Sequence, residues 1–84
     1  MLLHVDAVTL QGDFTLRIEF SDGSVRDVDL TKELHGEIFE PLQDPELFAQ
    51  VRVNPETGTI EWPNGADLAP EFLHEHGTDA EQVA

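Results

Sequence analysis

The stretch FTLRIEF at residues 14–20 alternates strictly between apolar and polar side chains. Successive side chains of a β-strand point to opposite faces, so the apolar groups of this stretch share one face and the polar groups share the other. The period of two therefore predicts a half-buried β-strand. We expect its apolar face to form the floor of the hydrophobic core.

The sequence around this strand predicts two hairpins. Residues 21–24 contain an Asp-Gly pair, which supplies the positive φ that a tight turn needs, and residues 25–30 return as the next strand. Residues 3–10 alternate loosely and predict a strand before the first turn. Strand-like residues at 51–62 flank a Pro-Glu-Thr-Gly turn and predict the second hairpin.

Short helices are predicted where the period of two ends. Thr31–Leu34 is typical of a capped helical turn. Asp44 followed by Pro45 is a favourable helix start, because an aspartate caps free amides and proline suits the first helical position. A last helix is predicted to begin near Pro70 and to end near Gly77.

These elements predict an α+β fold, in which a small antiparallel sheet from two hairpin-like units carries two short helices packed on one face. Residues 1–77 are predicted to form a single domain, and residues 78–84 a flexible acidic tail. Apolar side chains from the helical segments are expected to cover the sheet as a lid: Phe39, Leu42, Leu47, Phe48, Phe72 and Leu73.

Length and composition limit the class of protein. The chain of 84 residues suffices for one domain, and 39% of its residues are hydrophobic. The absence of cysteine excludes disulfide bonds and thiolate metal sites and is compatible with a reducing compartment. The first residues lack the pattern of a signal peptide, and no stretch has the ~18 apolar residues of a membrane helix. We expect a cytoplasmic protein.

The charge is strongly negative. Eighteen Asp and Glu residues outnumber four basic residues, and the formal net charge is −14. Binding to a phosphate backbone or an anionic membrane requires clustered Lys and Arg, so direct nucleic-acid and membrane binding are not expected. A basic partner would be attracted at low salt. The alternatives are that the charge only maintains solubility, or that it suits a salt-rich cytoplasm.

Four segments resemble, in order, a family of small bacterial domains catalogued as domain of unknown function 2442. They are FSDGS at 20–24, IFEPL at 38–42, DPELF at 44–48 and, most specifically, GTIEWPNGADLAPEFL at 58–73. The resemblance covers about residues 3–74 and implies a small α+β fold, found alone or joined to a helix-turn-helix DNA-binding region. It also implies a neighbouring small protein in a two-protein module of toxin–antitoxin type, and it implies no catalytic residues.

Two surfaces are candidates for binding a partner protein. One is the corner that contains Trp62, Asn64 and Asp67, since tryptophan anchors many interfaces. The structural alternative there is that Trp62 closes the core, Asn64 forms a turn, and Asp67 caps the approach to the last helix. The other candidate is the solvent face of the sheet, with Arg17 and Glu19. Arg17 is expected to pair across the hairpin with an acidic residue.

Metal binding and catalysis are both weakly indicated. Of Glu71, His74, Glu75 and His76, the first three could share one helix face at i, i+3 and i+4, whereas His76 would point elsewhere unless the helix has already ended. This set lacks the HExxH spacing, and histidines at a helix C-terminus also interact favourably with the helix dipole. Neither a nucleophile elbow nor a phosphate-binding loop is present. We therefore expect no metal, no cofactor and no enzymatic activity.

The sequence leads to three functional hypotheses. The first is a non-enzymatic interaction module that binds a small, basic, co-encoded protein, as the neutralising partner in a toxin–antitoxin-like pair. The second is a self-associating regulatory domain that pairs exposed sheet edges and serves a DNA-binding partner. The oligomeric state expected of the chain is a monomer or weak homodimer. The third is a small-ligand or metal binder, which requires a pocket of a few hundred cubic ångströms.

Overall fold

The structure, a computed structural model, describes residues 2–80. It contains antiparallel β-strands, two short α-helices and two 3-10 turns, at Thr31–Glu33 and Glu40–Gln43. The strands are β1 (Val5–Leu10), β2 (Thr15–Phe20), β3 (Val25–Asp29), β4 (Arg52–Asn54), β5 (Thr59–Glu61), β6 (Asp67–Leu68) and β7 (Thr78–Asp79). The helices are α1 (Pro45–Phe48) and α2 (Pro70–His76). The predicted mixture of antiparallel strands and few helices is thus confirmed.

The strands form two sheets, so the prediction of one sheet is wrong. The first has the order β1-β2-β3-β7 and the second the order β4-β5-β6. Proline-containing turns around Pro41 and Pro45 carry the chain from one sheet to the other. The three-residue strands β4 and β5 then pack against β1, where the Val5 amide donates to the Gly58 carbonyl at 2.8 Å. The second hairpin therefore abuts the first sheet without extending its ladder.

The core begins at β2, as its alternation predicts. Leu16, Ile18 and Phe20 are each at most 2% exposed. Val28 of β3 lies directly opposite Leu16, and Val5 of β1 lies opposite Phe20, so both neighbouring strands add apolar groups to the same face. A register shift between Val5 and Ala7 marks an irregularity in β1. The first three strands thus provide a continuous apolar floor.

Helical and loop segments cover this floor. Leu42, Phe48 and Leu73 of the predicted lid are fully buried, and its other members are partly buried against the core. The α1 start matches its prediction, because the Asp44 carboxylate accepts a hydrogen bond from the Glu46 amide at 3.0 Å and Pro45 occupies the first turn.

The C-terminal segment departs from the prediction. Thr78 and Asp79, expected in a flexible tail, pair with β3 as β7, and Ala80 is buried. The close approach depends on Gly77, where an added Cβ would lie 2.9 Å from the Arg26 Cβ atom. Arg26 also forms an ion pair of 3.1 Å with the exposed carboxylate of Asp79. The remaining predicted tail residues, 81–84, lie outside the described residues.

Candidate functional site

The polar face of β2 carries the first predicted surface. Arg17 lies opposite Asp27, and its guanidinium donates to both carboxylate oxygens at 2.9 and 3.2 Å. This hydrogen bonding lowers the pKa of the Asp27 carboxyl and raises the pKa of the Arg17 guanidinium. The expected cross-strand pair therefore forms, and the Arg17 guanidinium is already paired within the domain. Glu19 is exposed, and within residues 2–80 its carboxylate has no hydrogen bond or ion pair.

Trp62 lies in the core of the molecule. Its side chain is 2% exposed, its ring centroid lies 5.5 Å from that of Phe48, and its indole N–H donates to the Phe48 carbonyl at 2.9 Å. A partner could not contact this ring unless the fold rearranged. The burial favours the structural interpretation of Trp62 over the interface interpretation.

Asn64 acts as a clamp between two loops. Its amide nitrogen donates to the Ile38 carbonyl at 2.9 Å, while its amide oxygen accepts from the Ala66 backbone N–H at 3.1 Å. The neighbouring Gly65 has a φ of +93°, which suits glycine in this turn. The clamp fixes the backbone around Ile38, whose side chain is 44% exposed.

Asp67 does not cap the last helix. It lies in β6 opposite Glu61, and the residue before α2 is Ala69, which offers no side-chain cap. The Asp67 side chain is exposed and therefore accessible to a partner. Across residues 2–80, no hydrogen bond or ion pair joins this corner to Arg17 or Glu19, so the two predicted surfaces remain separate.

The histidines of α2 point to different partners. His74 Nε2 lies 3.1 Å from an Asp22 oxygen, and His76 Nε2 lies 3.5 Å from a Glu33 oxygen. Hydrogen bonds, first from the Ser24 hydroxyl and then from its amide, lower the pKa of Asp22.

Among the described residues, no group of three His, Cys, Asp or Glu side chains could hold a metal ion. Nor is any helix in that range long and apolar enough to cross a membrane.

A groove that the sequence does not predict lies where the first sheet meets the second hairpin. It has a volume of about 420 Å³, and its walls are residues 2–6 on one side and Val53 with residues 55–58 on the other. Its size falls within the range of about 300–1,000 Å³ that is typical of ligand pockets. The two walls are distant in the sequence, and no motif links them. Only the turn signal at 55–58 marks one wall.

The groove combines apolar walls with acidic groups. Leu3, Val53 and Pro55 supply apolar surface, whereas Asp6 and Glu56 supply carboxylates, and neither Lys nor Arg lines it. His4 also lines the groove, with its Nε2 3.1 Å from an Asp6 oxygen. A ligand with an aliphatic part and a positive charge would match both properties.

The fold is shared with a solved bacterial structure. It matches the crystal structure of the protein named Putative DNA Binding Protein NE0471, from Nitrosomonas europaea ATCC 19718, with a TM-score of 0.77 and 26% sequence identity. The match covers 90% of this chain and 49% of that one, so the chain spans about half the length of this relative. The comparison with curated proteins gave no match.

The family resemblance seen in the sequence is confirmed. A family model matches residues 5–79, close to the 3–74 expected from the motifs. The match includes the segment from Trp62 to Asp67, which forms the buried tryptophan and the asparagine clamp of this fold. The chain belongs to the family described as Protein of unknown function (DUF2442).

Proposed function

We propose that this domain is a non-enzymatic interaction module that binds a small basic protein, as the neutralising partner in a toxin–antitoxin-like pair. The observation that carries the proposal is the distribution of charge. Three of the four basic side chains, Arg17, Arg26 and Arg52, form ion pairs within the domain. Most Asp and Glu side chains among residues 2–80 are exposed, and little positive charge lies between them. The formal net charge of the chain is −14.

A basic protein is the partner that this charge favours. Electrostatic attraction increases the rate of association with a positive surface, whereas the same field opposes phosphate and anionic lipid. Exposed carboxylates such as Glu19 and Asp67 would mainly set the association rate. Most of the affinity must come from contacts that exclude water.

The proposal is tested by co-expressing the tagged domain with each protein encoded beside its gene. We expect one small basic protein to co-purify in a fixed ratio and to dissociate as the salt concentration is raised, because salt screens exposed charges. That protein should slow growth when it is expressed alone, and the domain should restore growth. If no neighbouring gene product binds at low salt, the proposal is wrong. Binding without any effect on growth would refute the neutralising role.

A second candidate function is a regulatory domain that serves a DNA-binding protein. It is favoured by the likeness to a protein named for DNA binding, of which this chain spans only about half. In this proposal a separate basic segment contacts DNA, and the domain self-associates. Light scattering at micromolar concentration should then show a dimer, and a labelled DNA duplex should not bind the domain alone. A monomer would count against this candidate.

A further inference from the structure

We propose that the groove between residues 2–6 and 53–58 receives an arginine side chain of the basic partner, a proposal that rests on the function proposed above. It identifies a place where apolar surface and exposed carboxylates lie side by side.

A backbone hydrogen bond connects the two walls of the groove. At its base the Val5 amide donates to the Gly58 carbonyl at 2.8 Å, which ties one wall to the other. Gly58 has a φ of +75°, and a Cβ atom there would lie 3.0 Å from the His4 Cβ atom. On the second wall, the Asn54 side chain accepts from the Glu56 amide at 2.9 Å and orders the turn. The link between the walls and the turn of the second wall are therefore made by the domain's own hydrogen bonds.

The chemistry of the groove selects a cation with an aliphatic stem. Asp6 and Glu56 contribute negative charge, and neither Lys nor Arg lines the groove. Leu3, Val53 and Pro55 offer apolar surface on which a methylene chain can lie. A guanidinium can donate to carboxylates in two parallel hydrogen bonds and is more weakly hydrated than an ammonium. Arginine therefore fits better than lysine.

The acidic groups of the groove are available to a ligand. Within residues 2–80, the Glu56 carboxylate has no hydrogen bond or ion pair, and Asp6 contacts only the His4 imidazole, at 3.1 Å. This differs from Asp27 and Glu61, whose carboxylates are already bound by arginine side chains. An incoming guanidinium would thus find unused acceptors in the groove.

The experiment is an NMR titration of the full chain with a blocked Ala-Arg-Ala tripeptide. The control is the same tripeptide with citrulline, which keeps the shape of arginine but lacks its charge. We expect saturable shift changes at the amides of residues 3–6 and 53–58 with the arginine peptide, and none with citrulline. Shift changes spread evenly over the acidic surface, or equal responses to both peptides, would overturn the proposal.

Matched variants separate the groove from the overall charge. Asp6→Asn with Glu56→Gln removes two carboxylates from the groove. Asp13→Asn with Glu75→Gln removes two exposed carboxylates elsewhere that have no hydrogen bond or ion pair within residues 2–80. Since a hydrogen bond to a charged group is among the stronger kinds, the groove variant should bind the arginine peptide about tenfold more weakly, and the control variant nearly as well as wild type. Equal weakening in both would refute a specific site.

A failure of the groove proposal can be distinguished from a failure of the proposed function. If the co-encoded protein binds the groove variant with wild-type affinity, the groove proposal is wrong while the interaction function stands. If no co-encoded protein binds, but the arginine peptide still saturates the groove, the guanidinium site stands and the proposed partner class is wrong.

Discussion

The two halves of the domain, residues 2–30 and residues 31–80, are stabilised in different ways. In the first half, β1 to β3 form regular ladders whose alternation places Leu16, Ile18 and Phe20 in the core. In the second half the strands have at most three residues, and side chains bond to distant backbone groups instead. Each of these bonds runs from a side-chain donor to a backbone carbonyl: Gln43 to Leu34, Thr59 to Leu68, Trp62 to Phe48 and Asn64 to Ile38.

This difference shows where the fold is sensitive to single substitutions. A ladder distributes its stabilisation over many backbone bonds that any residue can make. A side-chain-to-backbone bond disappears when one residue changes, and the carbonyl acceptor then loses a donor. We therefore expect the second half to depend on a few particular side chains, and the predictions below test that expectation.

The largest effect is expected for Trp62→Ala. Replacing a buried Trp by Ala typically costs about 3–5 kcal/mol of unfolding free energy, and here it also removes a donor to the Phe48 carbonyl, which still accepts from the Val51 amide at 3.3 Å. Urea unfolding followed by far-ultraviolet circular dichroism would measure the loss. Trp62→Phe, which keeps an aromatic ring but no N–H, should be intermediate. A loss below about 1 kcal/mol for the alanine variant would contradict the assigned core role.

Gly77→Ala tests the attachment of α2 and β7 to the first sheet. The added methyl would lie 2.9 Å from Arg26 Cβ and 3.0 Å from Val28 Cγ2. Overpacking of this kind typically costs about 1–3 kcal/mol. Gly12→Ala is the control, because the nearest atom to its added Cβ is 4.0 Å away. Thermal unfolding should show a lower midpoint for the first variant and not for the second. Equal midpoints would mean that β7 is not closely packed.

Asn64→Ala should have a smaller and local effect. It removes the bonds to the Ile38 carbonyl and the Ala66 amide, and the expected loss is about 0.5–1.5 kcal/mol. Hydrogen exchange should accelerate at residues 36–40 and remain unchanged in β2. Asn64→Asp keeps the acceptor for Ala66 but loses the donor for Ile38, so it should show the same acceleration. Unchanged exchange in both variants would refute the clamp.

The smallest effect is expected on the stability of the fold in acid. It concerns one carboxylate from each half. Arg17 lowers the pKa of Asp27, while Asn54 and then Arg52 lower the pKa of Glu61. A lowered pKa stabilises the fold above the unfolded value of about 4, and this contribution is lost as pH falls through the folded value.

Asp27→Asn and Glu61→Gln should each flatten the dependence of unfolding free energy on pH below about 4, relative to wild type. Protonation also reduces the repulsion that accompanies a net charge of −14, so the informative quantity is the difference between variant and wild type at each pH. Parallel curves for a variant and wild type would show that its pair does not contribute.

Local rules explain what the sequence could predict. The alternation of residues 14–20 fixes the faces of β2, and the Asp44-Pro45 pair fixes the start of α1. The two-sheet arrangement and the groove were not predictable in this way, because both depend on contacts such as Val5 with Gly58. Such contacts join segments about fifty residues apart, and no periodicity records them.

The same limit applies to the predicted site. Trp62 could be either a core residue or an anchor by composition alone, and its 2% exposure and its bond to Phe48 decide for the core. Thr78 and Asp79 resembled a tail because two polar residues carry no strand signal of their own. Their pairing follows from the close approach at Gly77, a tertiary effect.

The buried position of Trp62 has a spectroscopic consequence. It is the sole tryptophan of the chain, so intrinsic fluorescence excited at the indole band reports on the second half, whereas backbone dichroism averages over both. If the halves unfold together, the two signals should give coincident transitions. An emission change that precedes the loss of backbone signal would show that the second hairpin opens while the first sheet stays intact.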